Sequence, residues 1–121
     1  MDKFNIKDSH PNISRLEKLF LEEGVLTKFK KNEYLVRQNE KTNQIGFIMS
    51  GMFRLSHIDA DANEWIVGYS FVNDFVCDYP SFIKQATSTV NIQATTECEV
   101  YLLSLNHVCR DIPTLIRVLL R

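Results

Sequence analysis

The sequence predicts a mainly β fold with flanking helices, an antiparallel sandwich or jelly roll. Short apolar segments recur between Val25 and Ser104, separated by polar turn clusters such as "KNE", "NEKTN" and "DADANE". Within "TVNIQAT", Val90, Ile92 and Ala94 alternate with polar residues, so one face is dry and the other wet. Helical periodicity is confined to the two ends of the chain. About eight short strands at regular turn spacing favour antiparallel pairing over a parallel sheet, which would need helical crossovers.

The first helix is expected over "SRLEKLFLEE", with Ser14 as its cap and Glu17 three residues on, the spacing of a capping box. Leu16, Leu19 and Phe20 share one face, and Gly24 ends the run. Strands follow in "VLTKFK", "EYLVR", "QIGFIMSG", "MFRLSHID" and "EWIVGYSF", then in "TVNIQAT" and "CEVYLLS". Along "EWIVGYSF", Trp65, Tyr69 and Phe71 form one face and Ile66, Gly68 and Ser70 the other; the aromatic face is expected to fill the barrel, with stacking on a ligand ring as the alternative. Arg54 is expected on a solvated strand face, with pairing to Glu64 or to an acidic ligand group as the alternative. The tail returns to helix: Asn106 is the expected cap of "HVCRDI", Pro113 interrupts, and "TLIRVLLR" continues. Ile112, Leu115 and Leu119 fall on one face and Ile116, Val118 and Leu120 widen it, so this helix calls for an apolar partner. The pattern runs to Arg121 without a cap, as in a cut or shortened chain.

Composition narrows the function classes. With 14 basic and 15 acidic residues among 121, net charge is −1, a poor basis for neutralising phosphates, so the chain alone is not expected to bind nucleic acid. No long apolar run suits a membrane span or a signal peptide, and a cytoplasmic location is expected. Cys77, Cys98 and Cys109 are odd in number and widely spaced, suiting buried, reduced thiols; only Cys77, beside a proposed helix start, is a redox candidate. His10, His57 and His107 stand alone, without the His-x-His spacing of a cupin metal site, and there is no nucleophile elbow. No catalytic residue, metal or cofactor is expected, and the chain is not expected to be an enzyme.

"FVNDFVCDYPSF", residues 71–82, carries the functional signal. It opens like a strand and breaks at Asn73-Asp74. Asp78 and Pro80 then suit a helix start, Asp78 as cap and Pro80 in the first turn, where no N–H is needed. Such a bend points amide donors and a helix N-terminus at one spot, which suits an anion.

Taken in order, "FKKNEYLVRQNEKTNQIGFIMSGMFRLSHID", "EWIVGYSFVNDFVCDYPSF" and "NIQATTECEVYLLS" resemble the cyclic-nucleotide-binding domain of the Crp/Fnr family of bacterial transcription regulators, over nearly the whole chain from about Ile13 to Arg121. The most specific word is "GFIMSGMFRL", where Gly51 lies between two strands at a place where positive φ is cheap only for glycine. Asn32 and Asn39 stand where the family tends to have glycine, and asparagine is the next-best left-handed residue. The resemblance implies a double-stranded β-helix, a jelly roll of the cyclic-nucleotide-binding type. It also implies a phosphate cassette: a Gly-Glu turn, a short helix offering amide donors, then Arg followed by Ser or Thr. On this sequence the turn would be Asn73-Asp74, with Phe75 and Val76 leading to the helix. Tyr79 and Ser81 would line the pocket, and Ser88 and Thr89 would take the Arg and Ser/Thr positions. The iron–sulfur version of the family is not expected, since residues 1–24 hold no cysteine.

The departure lies at Ser88. No arginine occurs between Arg54 and Arg110, so a phosphate would lose its charged bidentate contact. Hydrogen bonds to charged groups are worth about 1.5–3 kcal/mol each, so affinity would fall by about two powers of ten or more. Asp74 and Asp78 would face the anion, while Lys84 would point to solvent. The expected organisation is one sensory domain, residues 1–121: an N-terminal helix (13–24), a β-barrel (25–105) and the start of a C-terminal dimerisation helix (106–121), the helix-turn-helix domain being absent. It would sense a small effector other than cyclic AMP and pair as a homodimer through Ile112, Leu115, Ile116 and Leu119. DNA would be reached only through the missing domain. The alternative is a ligand-free dimerisation or protein-interaction module of the same fold.

Overall fold

The computed structural model describes residues 5–6, 13–41, 43–78 and 86–111. In chain order the elements are β1 (Asn5–Ile6), α1 (Ile13–Glu23), β2 (Val25–Phe29), β3 (Tyr34–Val36), β4 (Gln44–Ser50), β5 (Phe53–Ile58), β6 (Glu64–Ser70), β7 (Phe75–Val76), β8 (Asn91–Ala94), β9 (Cys98–Ser104) and α2 (Leu105–Asp111). One sheet runs β1-β7-β4-β9-β2 and the other β3-β8-β5-β6, with all pairs antiparallel. This is the predicted jelly roll. The helix predicted to start near Asp78, with Tyr79, Ser81 and Lys84, and the terminal segment with Ile112, Leu115, Ile116 and Leu119 lie outside the described residues.

Two apolar clusters hold the fold. Between the sheets lie Ile48, Phe53, Leu55, Val76, Ile92, Ala94 and Val100; between the helices and the first sheet lie Leu16, Phe20, Ile45, Phe47, Phe75 and Val108. Neighbouring residues of a strand point to opposite faces. Thus Phe75 packs on the helix side, 4.6 Å from Phe47 and 5.3 Å from Phe20 between ring centroids, while Val76 enters the space between the sheets.

The turns follow the sequence closely. Asn32 (φ 77), Asn39 (φ 71), Asn73 (φ 72) and Gly51 (φ 89) are left-handed, and a Cβ on Gly51 would lie 2.4 Å from the Glu97 carbonyl oxygen. Three expectations are corrected. Helix α1 begins at Ile13, so Ser14 sits within its first turn rather than capping it. Helix α2 begins at Leu105, with the Ser104 hydroxyl accepting the His107 N–H at 3.1 Å, so Ser104 and not Asn106 is the cap. Finally, Trp65, Tyr69 and Phe71 do not fill the barrel; they are 60%, 41% and 50% exposed. Register explains this. Gly68 and Ser70 pair with the core residues Leu55 and Phe53, which leaves Tyr69 opposite Arg54 on the outer face. Ile66, Val67 and Val72 are exposed as well, so an apolar strip lines the edge of the second sheet.

Candidate functional site

The site is assembled from two walls. One is the turn between β6 and β7, docked on β4. Asn73 donates its N–H to Ile48 O (2.8 Å), and Ile48 donates to Asp74 O (3.1 Å). The Asp74 carboxylate accepts the Phe71 N–H at 2.7 Å, while the Asp74 N–H returns to Phe71 O at 3.0 Å. Buried Asp74 therefore closes its own turn. Strand β7 then carries the chain to Asp78, which is fully buried.

The other wall is the segment before β8. Asn39 donates to Ser88 O (2.7 Å) and Ser88 donates to Glu40 O (2.8 Å), a pairing that the left-handed Asn39 makes possible. Lys41 and Thr87 form an isolated bridge beside it. His57 Nδ1 lies 2.8 Å from Thr89 O, so the Nδ1–H tautomer donates there and ties the segment to β5.

The walls meet at Asp78. Its Oδ2 accepts the Thr89 N–H and the Thr89 Oγ1–H, each at 2.8 Å, and lies 3.2 Å from Ser88 Oγ. A hydroxyl has one proton. Ser88 is closer to Val90 O, at 2.8 Å, while its oxygen accepts the Val90 N–H at 3.2 Å. The amides of residues 88, 89 and 90 are thus all committed. The structure places Ser88 and Thr89 against Asp78, while Asp74 bonds within its own turn. It places Phe75 and Val76 in the core, and Asn73 and Asp74 in a turn docked on β4. The sequence reading missed Asp78 as a partner of Thr89 because an aspartate before Tyr-Pro reads first as a helix cap.

Two described arginines, Arg54 and Arg37, have partners elsewhere. Arg54 donates to Gln93 Oε1 at 3.1 Å and lies 3.8 Å from Glu64 Oε2, the pairing held as its alternative. Arg37 stacks over Tyr34, 4.1 Å from the ring centroid. Two open clefts, of about 490 and 330 Å³, flank Lys28 and Phe29 and include none of the predicted ligand residues. Cys77 and Cys98 are buried, and burial pushes the Cys109 thiol above its ordinary range, away from reactivity.

With this geometry in place, comparison with known proteins decides the family. The model of the cyclic nucleotide-binding domain matches residues 26–110. The chain belongs to that family. Its fold is shared with regulators of the Crp/Fnr type. The sensor domain of the transcriptional regulator DNR from Pseudomonas aeruginosa aligns at TM-score 0.72 and 17% identity, over 88% of this chain and 72% of that one. The c-di-GMP-responsive global regulator CLP of Xanthomonas campestris aligns at TM-score 0.72 and 21% identity, over 88% of this chain and 54% of that one. The regulatory subunit of a cAMP-independent protein kinase A from Trypanosoma cruzi, bound to guanosine, aligns at TM-score 0.72 and 23% identity, over 80% of this chain and 34% of that one. The chain thus spans between about a third and three-quarters of these relatives. No curated protein sequence matches it. Among the described residues, no helix is long and apolar enough to cross a membrane.

Proposed function

We propose that this domain is the ligand-sensing regulatory half of a Crp/Fnr-like transcription regulator, that it is not an enzyme, and that its effector carries no cyclic phosphate. The supporting observation is the state of the Ser88–Thr89 corner: the arginine position holds a serine, and the Thr89 amide and hydroxyl are committed to the Asp78 carboxylate. A phosphate entering there would meet a buried carboxyl group, and among the described residues no arginine is paired with that group. The guanosine-bound kinase subunit is a case of this fold holding a nucleoside without a phosphate. Effector binding would shift the docking of the 106–121 segment, with Ile112, Leu115, Ile116 and Leu119 pairing across a homodimer. A helix-turn-helix domain beyond them would read DNA.

A thermal-shift and calorimetric screen tests this, comparing cyclic AMP and cyclic GMP with guanosine and adenosine. A ligand at about a hundred times its dissociation constant adds about 2.7 kcal/mol, readily seen in a domain of this size. We expect no response to the cyclic nucleotides; a saturable shift with cyclic AMP would overturn the reading.

The exposed strip of β6 favours a second reading, a protein-interaction module that pairs with another copy of this chain. Strand β6 is an edge strand with Glu64 as its one charged residue. In a twofold antiparallel pairing about Val67, Trp65 would face Tyr69, Ile66 would cover Gly68, and Glu64 would meet Ser70 rather than itself. Light scattering decides it: a dimer that Val67→Lys converts to monomer, with no effector found, would favour this module.

A further inference from the structure

The Ser88–Thr89 corner already holds a carboxyl group, and that group belongs to the chain. Oδ2 of Asp78 takes one main-chain N–H and one hydroxyl, both from Thr89 at 2.8 Å, in a fully buried position; Ser88 Oγ, 3.2 Å away, directs its proton to Val90 O. Convergent amide and hydroxyl donors of this kind are what a small oxyanion requires. Burying a carboxylate costs several kcal/mol unless such donors replace its water. The donors are positioned in advance, because Ser88 is paired through both its N–H and its C=O to residues 39 and 40 and Thr89 O is held by His57. The carboxylate is positioned as well, since Asp78 lies two residues beyond Val76, which pairs with Gly46 and is fully buried. A tethered group presented at its partner acts at an effective concentration of about millimolar or more, which a free anion has to exceed.

We infer that this corner is an oxyanion-binding site that the chain keeps filled with Asp78. Asp78, and not the lost arginine alone, then determines that anionic effectors are rejected. The inference deepens the sensing reading and rests on it only in taking this corner as the effector site. The ligand class is a small oxyanion, a carboxylate or a phosphate, held by Thr89 N–H and Thr89 Oγ1–H.

The test is chemical rescue. Asp78→Ala leaves a space the size of formate. Its thermal midpoint is measured in sodium formate, sodium phosphate and sodium chloride at matched ionic strength, beside the unaltered protein. We expect the variant to melt lower in chloride and to recover saturably with formate or phosphate. The unaltered protein should not respond, and Thr89→Val added to Asp78→Ala should abolish the rescue. Equal responses of variant and unaltered protein, or a variant as stable as the unaltered protein in chloride, would overturn the inference. Should Asp78→Ala not fold in chloride, refolding in formate is the measurement, and failure there overturns it too. Asp78→Asn keeps the shape but not the charge; it should be destabilised and not rescued, and full stability in this variant would count against an anion site. Because these titrations use no effector, rescue combined with an empty nucleotide screen would keep the inference while removing the sensing reading.

Discussion

Returning an arginine to its family position should not by itself restore cyclic-nucleotide binding. In Ser88→Arg the new guanidinium would start from a backbone whose present side chain lies 3.2 Å from Asp78 Oδ2, so it would find a carboxylate before any ligand arrived. An arginine free to grip a phosphate offers two charge-assisted bonds of about 1.5–3 kcal/mol each, or about 10²–10⁴ in affinity. A carboxylate about 4 Å from that guanidinium holds it with about 4 kcal/mol at the effective dielectric of a protein surface, and a phosphate has to displace it. The two terms cancel to within their spread. The single variant should therefore change cyclic AMP affinity by less than about tenfold, while Ser88→Arg with Asp78→Ala should gain about a hundredfold or more.

The assay is a double-mutant cycle by titration calorimetry, with urea melts to confirm that each protein is folded. Folding must be checked because Ser88 is buried and overfilling such a position costs about 1–3 kcal/mol. A coupling energy of about 1.4 kcal/mol or more between the two positions is expected, one power of ten. A hundredfold gain from Ser88→Arg with Asp78 intact would refute the reasoning, as would a double variant that binds no better than the single one.

Two further outcomes test the scaffold. Gly51→Ala should destabilise by about 2–5 kcal/mol in urea denaturation, because a left-handed alanine costs about 1–2 kcal/mol and its Cβ would press on the Glu97 carbonyl and Cys98, forcing a backbone shift of similar cost; a loss under about 1 kcal/mol would contradict the geometry. Trp65 Nε1–H donates to Asp59 Oδ2 at 2.8 Å, and this bond, ahead of the Asn63 and Asp61 amides, holds the Asp59 carboxyl below 3.8, so Trp65→Phe should raise its titration midpoint in carboxyl NMR. Since the folded pKa is depressed, the stability this bond contributes is present above the unfolded carboxylate range and lost as pH falls through the folded value; an unmoved midpoint in Trp65→Phe would sink this assignment.

What the sequence made legible was local, and what it hid was a matter of pairing. Gly51 and the asparagines at 32 and 39 declare left-handed turns through their own chemistry, and all three are found there. Ala62, at φ 66, declares nothing; its turn is held by the Asp59 carboxylate, which accepts the Asp61 and Asn63 N–H groups at 2.9 Å. Ser104 and Asn106 are equally good caps two residues apart, and only the end of β9 selects the serine. Alternation along β6 separates its two faces but does not say which is dry; that follows from the pairing of Gly68 with Leu55. The site repeats this division. Sequence shows that an arginine is missing and that two aspartates, four residues apart, stand nearby. It cannot show that β7, only two residues long, anchors the first to its turn and delivers the second to Thr89. A serine at the arginine position reads on its own as a weakened phosphate site. With the Asp78 carboxyl on the neighbouring Thr89 donors it reads as an altered one, which is the proposal the rescue experiment tests.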